Sequence, residues 1–149
     1  MVGKGSLRHN NRTFHAGNVD PERSHQNIAY CDENIRDVYH ELFDEALEKY
    51  NAKQTRADRM IDDYYEKIRS GKQEKLFHEI IMQIGNKDDC ASDSENGELA
   101  AKILNEYMKE FQERNPTLRV FSAHLHMDEA TPHLHIDFIP YITESKRGV

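Results

Sequence analysis

Long apolar runs are absent from this sequence, and cysteine is scarce. No segment approaches the roughly 18 consecutive apolar residues that a membrane-spanning helix requires, and the first twelve residues, MVGKGSLRHNNR, contain no apolar stretch of the secretory type. The two cysteines, Cys31 and Cys90, have neither the number nor the spacing of a disulfide framework or a zinc knuckle. These absences predict a soluble protein of a reducing cytoplasm, without a membrane segment.

Positive charge is also in short supply. The formal net charge of the 149 residues is −7, which argues against a broad, non-specific grip on nucleic acid, because phosphates are contacted mainly by Lys and Arg. The charge is uneven, since residues 1–25 carry a local +2 and the rest of the chain carries −9. Any nucleic-acid surface is therefore expected to include the N-terminal segment.

The length fits one domain, and no repeat or low-complexity tract interrupts it. Apolar residues recurring at steps of three and four predict helices, whereas alternating or short apolar runs predict strands. The helices are expected over 33–50, from about 60 to a stop at Ser70-Gly71, and over 97–114. The strands are expected near 27–31 and over 77–84, 119–127 and 133–141. This order predicts an α/β (α+β) fold with an antiparallel or mixed sheet.

Histidine is the anomaly of the composition, because four of the nine histidines fall within residues 124–135. Side chains alternate between the two faces of a strand. One face of the first strand is expected to carry Val120, Ser122, His124 and His126, and the other to carry Phe121, Ala123, Leu125 and Met127. In the second strand His133, His135 and Asp137 alternate with Leu134, Ile136 and Phe138. The apolar faces predict helices packed on the side opposite to the histidines.

These histidines have the spacing of a metal site. His-x-His on a strand places two Cα atoms about 6.5 to 7 Å apart on one face, near enough for His133 and His135 to reach one ion. His126 from the neighbouring strand completes a three-histidine set that leaves positions open for water or substrate, as catalytic sites do. The alternative is a solvent-facing polar stripe, but four imidazoles in phase favour metal. Nearby acidic residues are candidates to orient the rings, namely Asp128, Glu129 and Asp137; three ligands suffice without His124, which suits a supporting or substrate-facing role.

Three segments resemble a known family. Residues 126–135, HMDEATPHLH, are similar to the H-x-D-E-x-x-P-H-x-H motif of the Mob/Pre plasmid mobilization relaxases, also called plasmid recombination enzymes. Residues 8–12, RHNNR, resemble the H-N-x-R box of that family, and residues 21–27, PERSHQN, resemble its R-S/T-H-x-N box. Because proteins of this family are longer, residues 1–149 are expected to be a single relaxase-like catalytic domain truncated at its C-terminus.

The resemblance implies a reaction and the residues that carry it. His126, His133 and His135 would hold a divalent metal, His9 would attack DNA and form a phosphoramidate, and Glu129 would accept or orient the His9 proton. On the residues alone, a mobile histidine with no partner is the favoured interpretation of His9, and only the resemblance reverses this. The expected DNA-binding residues are Arg8, Asn10, Arg12, Arg23 and His25, although Arg23 and His25 can equally cap the strand that follows.

The implied function is site- and strand-specific nicking and joining at a transfer origin in the bacterial cytoplasm. The partner would be single-stranded or hairpin origin DNA, with dimerisation possible through the missing C-terminal region. Imidazole ligands suit Zn, Ni, Cu or Fe by softness, whereas the resemblance favours Mn, with Mg or Zn as alternatives.

Three other interpretations stay open. A metal-dependent hydrolase would use an activated water and form no covalent intermediate. A non-catalytic DNA-binding module would bind metal for stability alone. A tyrosine nucleophile is also conceivable, because Tyr30 follows the second box and Tyr64-Tyr65 form a pair; the helical phase of that pair favours packing instead.

Overall fold

An antiparallel five-stranded sheet organises the chain. The structure is a computed structural model that describes residues 2–3, 6–14 and 16–145. The strand order is β1-β3-β5-β4-β2, and every neighbouring pair is antiparallel, so the expected mixed or antiparallel sheet is of the antiparallel kind. The strands are β1 (Val2–Gly3), β2 (Ile28–Asp32), β3 (His78–Gln83), β4 (Leu118–His126) and β5 (His133–Pro140).

In the described part of the chain, five α-helices and two short 3-10 helices accompany the sheet. The α-helices are α1 (Leu7–Asn10), α2 (Ile35–Ala52), α3 (Tyr64–Ser70), α4 (Glu95–Lys109) and α5 (Phe111–Arg114), and the 3-10 helices span Pro21–Gln26 and Ala57–Arg59. Side-chain caps begin the three long helices: Asn34 accepts from the Arg36 amide, Asp63 from that of Glu66, and Ser94 from that of Gly97.

Most predicted elements are confirmed, with small shifts of their ends. The first predicted helix is α2, which begins at Ile35 after the Asn34 cap. The second starts only after the Asp63 cap but ends at Ser70 as predicted. The third is divided at Glu110 into α4 and α5. The strands expected over 77–84, 119–127 and 133–141 correspond to β3, β4 and β5.

A β-bulge changes the expected faces of β4. The register of β4 against β5 shifts between Val120 and Ser122, and a bulge inserts one residue that interrupts the alternation of faces. Val120 therefore packs in the cluster of Ala123 and Leu125, on the face away from the histidines, while Phe121 packs with Ile139. The prediction that Val120 shares a face with His124 is wrong for this reason; from Ser122 onward the alternation holds.

Helices cover both faces of the sheet. α4 and α5 pack on the apolar face of β4 and β5 through Leu104, Met108 and Phe111, which confirms the helices expected opposite the histidines. The histidine-bearing face is also covered, at its other end, where α2 and α3 pack against Phe121 and Ile139. The histidine site therefore occupies only the part of this face that the helices leave open. Within the described residues, no helix is long and apolar enough to span a membrane.

Gly97 allows the start of α4 to approach the preceding loop. A Cβ atom at Gly97 would lie 1.9 Å from the carbonyl oxygen of Ala91, which is backbone and cannot swing away. We expect Gly97→Ala to lower the free energy of unfolding by about 1–3 kcal/mol, the usual cost of overpacking. Urea denaturation measures this loss. Gly17→Ala is the matched control, because a Cβ there meets nothing within 4 Å; equal stability of the two variants would contradict the prediction.

Candidate metal centre and its surroundings

Two adjacent inner strands bring the predicted metal ligands to one end of the sheet. β4 ends at His126 and β5 begins at His133, and the antiparallel register pairs His126 with His133 and His124 with His135. The ring centres of His126 and His135 are 4.7 Å apart, and those of His133 and His135 are 6.4 Å apart. The convergence expected from the sequence is therefore present.

An N-terminal histidine joins this cluster. One ring nitrogen from each of His9, His126 and His135 lies within 4.8 Å of the others, a spacing from which three ligands can reach one ion. His133 is not part of this closest group; its Nδ1 lies 3.9 Å from Glu129 Oε2. The ligand set His126, His133 and His135 stays a prediction, to which the structure adds His9 as a neighbour.

Burial favours the neutral form of three histidines on this face, His124, His126 and His133, and metal ligands must be neutral. Loss of solvent lowers the pKa of His126 to about 3 and also lowers the pKa of His133 and His124. His126 Nδ1 is buried and has no hydrogen-bond partner among the described residues. A buried, unpartnered nitrogen with a lone pair fits a metal ligand well, and the donor set as a whole is compatible with a divalent transition ion.

Glu129 connects His9 with the cluster. His9 lies in α1, and its Nε2 atom is 3.2 Å from Glu129 Oε1. Burial alone would raise the pKa of Glu129, but a hydrogen bond from Arg12 and the nearby positive charge outweigh this effect and lower that pKa. Glu129 is therefore an ionised carboxylate within hydrogen-bond distance of the imidazole that the sequence suggested as nucleophile.

Arg12 adopts an unusual backbone conformation beside His9. Its φ angle is 59°, in the left-handed region, which costs a non-glycine residue roughly 1–2 kcal/mol. The conformation turns the guanidinium back into the site, where Nη1 donates to the carbonyl oxygen of His9 at 2.9 Å and Nη2 donates to Glu129 Oε1 at 3.0 Å. Strain of this kind is characteristic of functional sites.

Both N-terminal boxes converge on Asp128. This side chain is fully buried, and its Oδ2 atom accepts hydrogen bonds from Arg12 Nε at 3.0 Å, Ser24 Oγ at 2.8 Å and Asn27 Nδ2 at 2.7 Å. Burial alone would raise the pKa of Asp128, but these donors hold it well below its ordinary range. The second box thus fixes the turn between β4 and β5.

Main-chain contacts hold the same turn. The Asp20 amide donates to the carbonyl oxygen of Asp128 at 2.7 Å. Ser92, which is buried, donates its hydroxyl to the carbonyl oxygen of Glu129 at 2.6 Å and its amide to that of Ala130 at 3.0 Å. The segments that contain Arg12, Asp20 and Ser92 therefore together restrain the position of the Glu129 carboxylate.

Sequence reasoning missed Glu79, which lies beneath the histidines on β3. Glu79 Oε2 is 3.2 Å from His135 Nδ1, and the side-chain amide of Asn10 donates both to Glu79 and to Asp137. Burial, offset by hydrogen bonds from His135 and Asn10, leaves the pKa of Glu79 lowered, whereas burial and the charge of Glu79 raise the pKa of Asp137 to about 7. The sequence signal for Glu79 was one acidic residue directly before the apolar residues 80–82 of β3.

The predicted DNA contacts differ in their availability. Arg8 and His25 are exposed, and Arg23 is half-buried with its Nε donating to Asp20 at 2.9 Å. Asn10 is only 1% exposed, so its side chain is not available to DNA and holds the site from inside instead. Arg12 is 12% exposed at its side chain and is ion-paired with Asp128 and Glu129, which makes it chiefly a structural cation of the site.

The tyrosines lie away from the histidine cluster. Tyr30 packs against the core under α4, on the opposite face of the sheet, and donates its hydroxyl to Asn105 Oδ1 at 2.7 Å. Tyr64 and Tyr65 both pack against Tyr39 in the core under α2, as their helical phase predicted.

His124, although buried in phase with the ligands, has an Nε2 atom without a hydrogen-bond partner among the described residues.

An antiparallel sheet with helices on both faces, which gathers imidazoles at one end of two inner strands beside His9, defines an α/β domain with a candidate metal centre. The chain belongs to the plasmid recombination enzyme family, Mob_Pre, whose sequence profile matches residues 14–148. The resemblance noted in the sequence is thereby confirmed, although the matched range begins after His9. No curated protein matches the chain.

Solved structures agree on the fold. The chain is similar to the Mn-bound relaxase domain of MobM (MOBV; Mob_Pre) in complex with 22 nucleotides of plasmid pMV158 oriT DNA at pH 5.5, with a TM-score of 0.53, 23% identity and 93% of this chain covered. A second Mn-bound MobM complex, at pH 4.6, gives a TM-score of 0.51, with 22% identity and 96% coverage. The chain spans 64% and 68% of the length of these two structures, respectively.

Proposed function

We propose that this chain is the catalytic part of a DNA relaxase, which nicks and rejoins one strand at a transfer origin to start movement of a plasmid or other mobile element. The observation that carries the proposal is the contact of 3.2 Å between His9 Nε2 and the ionised Glu129, beside the converging rings of His126 and His135. The Mn and the oriT DNA bound by the MobM relatives support the same assignment.

In this proposal His126, His133 and His135 hold a divalent metal, with Mn favoured over Mg or Zn. Once bound, the ion polarises a phosphate oxygen and stabilises the charge that develops on it. His9 presents Nδ1 to the phosphorus, because its Nε2 faces Glu129. Arg12 supports this arrangement by holding both the Glu129 carboxylate and the His9 carbonyl group.

The proposed transfer exchanges one bond at phosphorus for another. The lone pair of His9 Nδ1 forms a bond to phosphorus, the bond from phosphorus to the 3′ oxygen breaks, and the departing oxygen takes up a proton from water as a 3′ hydroxyl. Glu129 accepts the Nε2 proton of the imidazolium that results, which leaves a neutral ring in the phosphoramidate, whose phosphoryl group keeps its single negative charge. Because the adduct preserves the phosphoryl bond energy, a 3′ hydroxyl can reverse the step and rejoin the strand.

Origin DNA is the proposed partner, in single-stranded or hairpin form. Among the described residues of the N-terminal segment, where the local charge is positive, Arg8, Arg23 and His25 have side chains that remain at least partly available to DNA. Few cations in an otherwise acidic chain suit selective rather than general binding of DNA. The bacterial cytoplasm is the proposed compartment, and Cys31 and Cys90 are both free thiols as that compartment requires.

Covalent capture of DNA tests the proposal. Single-stranded oligonucleotides that together tile the element encoding the chain are incubated with the protein and Mn²⁺, and protein-linked DNA is resolved on denaturing gels. We expect one oligonucleotide to give a linked species that chelator prevents and that mild acid reverses, because a phosphorus–nitrogen bond is acid-labile. Cleavage without any linked species would favour the hydrolase that uses activated water. Metal binding without cleavage of any oligonucleotide would favour the non-catalytic module.

A further inference from the structure

Two residues outside the proposed ligand set, Asn10 and Glu79, each contact one ring nitrogen of a buried histidine. His126 Nε2 lies 2.7 Å from the carbonyl oxygen of Asn10, and His135 Nδ1 lies 3.2 Å from Glu79 Oε2. The side-chain amide of Asn10 in turn donates to Glu79. One connected group of atoms therefore contacts both rings, and all four residues are buried.

The chemistry of these contacts determines which ring nitrogen carries the proton. A carbonyl oxygen only accepts hydrogen bonds, so His126 must donate from Nε2, which leaves the Nδ1 lone pair free. The Glu79 Oε2 atom that contacts His135 also accepts a hydrogen bond from the Asn10 amide, so it acts as an acceptor, and His135 donates from Nδ1, which leaves the Nε2 lone pair free. The two strands thus present opposite nitrogens of their imidazoles to the space between them.

We propose that Glu79 and Asn10 are positioning residues that fix opposite tautomers in His126 and His135, so that a metal is bound through Nδ1 of the first ring and Nε2 of the second. The inference rests on the metal site of the proposed function. It adds what orients the two rings, namely Glu79 on β3 and Asn10, the residue directly after His9.

Asp137 explains why Asn10 is needed as well as Glu79. Glu79 and Asp137 are directly opposite each other on β3 and β5, and both carboxyl groups are buried. The Asn10 amide donates to both, at 2.9 Å to Asp137 Oδ2, and so holds Glu79 in contact with His135. Because Asn10 follows His9 in α1, the same amide also ties the position of His9 to that of the metal ligands.

Ring nitrogen shifts test this arrangement without any DNA. Protein labelled with ¹⁵N in its histidines and freed of metal by chelator is examined by long-range proton–nitrogen correlation NMR. We expect His126 to be protonated at Nε2 and His135 at Nδ1, with each ring assigned from a single His→Gln variant. The opposite tautomer in either ring would overturn the proposal, whether or not the protein cleaves DNA.

Metal affinity supplies the second measurement. Calorimetric titration of the metal-free protein with Mn²⁺ compares the parent chain with Glu79→Gln, which preserves shape but removes the charge that orients His135. Loss of such a supporting group typically weakens metal binding by about 10- to 100-fold, and the spectrum should show mixed tautomers of His135. Glu48→Gln, at an exposed position of α2, is the control and should change neither value.

The outcomes separate this inference from the proposed function. Parent affinity together with a parent spectrum in Glu79→Gln would overturn the positioning role while leaving the relaxase assignment intact. Failure of the parent chain to bind Mn²⁺ would instead count against the proposed function, and the tautomers would still be readable. If Glu79→Gln loses its cooperative thermal transition, the tautomers of the parent chain alone decide the proposal.

Discussion

Alanine at position 9 is expected to abolish the protein–DNA adduct and to reduce nicking by about three to six orders of magnitude, the range found when an enzymatic nucleophile is removed. His9 Nε2 lies 3.2 Å from Glu129, whereas the Nδ1 atoms of His126 and His133 lie 3.8 and 3.9 Å from it. The measurement is the rate of adduct formation with the oligonucleotide that the parent chain cleaves. His40→Ala is the control, because His40 is exposed on α2 and pairs with Asp44.

Two results would contradict this prediction. An unchanged adduct in His9→Ala would remove His9 from the role of nucleophile. Nicking that survives in His9→Ala without an adduct, but is lost in His135→Ala, would indicate an activated water.

Metal binding by the same variants resolves the composition of the ligand set. His9→Ala should bind Mn²⁺ as the parent chain does if the ligands are His126, His133 and His135. If His133→Ala binds Mn²⁺ normally and His9→Ala does not, the ion is instead held by the group of His9, His126 and His135.

Asparagine at position 128 is expected to give the largest loss of stability. Asp128 is fully buried and ion-paired with the nearly buried Arg12, and loss of one partner of such a pair typically costs about 3–5 kcal/mol. An asparagine amide would also direct donor hydrogens towards the donors of Ser24 and Asn27. At about 2–4 °C per kcal/mol for a chain of this size, the melting temperature should fall by roughly 10 °C.

Thermal denaturation followed by circular dichroism measures this change. Asp62→Asn is the matched control, since Asp62 is exposed, and surface substitutions of this kind usually stay within about 0.5 kcal/mol. Nicking should also decline in Asp128→Asn, because Asp128 holds Arg12 in place and Arg12 in turn holds Glu129. A melting temperature like that of Asp62→Asn would show that the turn does not depend on this carboxylate.

The periodic parts of the sequence predicted the fold well. α2 and the strands β3, β4 and β5 each have an apolar pattern that matches their secondary structure, and burial of that pattern fixes the element. The alternation of His133 and His135 with apolar residues also indicated which side chains share a face. These features depend only on neighbours along the chain, so the chain alone reveals them.

Features that depend on distant contacts were not predictable in the same way. The bulge at Phe121 lies between the residues of β4 that pair with Phe138 and Asp137 of β5, and no local pattern marks it. Glu79 belongs to a different strand from the ligands and is recognisable only when β3 is seen beside β5. Asn10 was expected to face DNA as a member of the first box that resembles the family, but its partners lie 69 and 127 residues away.

These sequence separations have a consequence for synthesis of the chain. His9 and Arg12 leave the ribosome early, whereas Asp128 follows Arg12 by 116 residues and Asp137 follows Asn10 by 127. Until those acidic residues emerge, nothing holds the N-terminal arm in its strained conformation, and the long loop must close against chain entropy. The contacts that hold His9 and Arg12 beside Glu129 can therefore form only when nearly all of the sheet has been made.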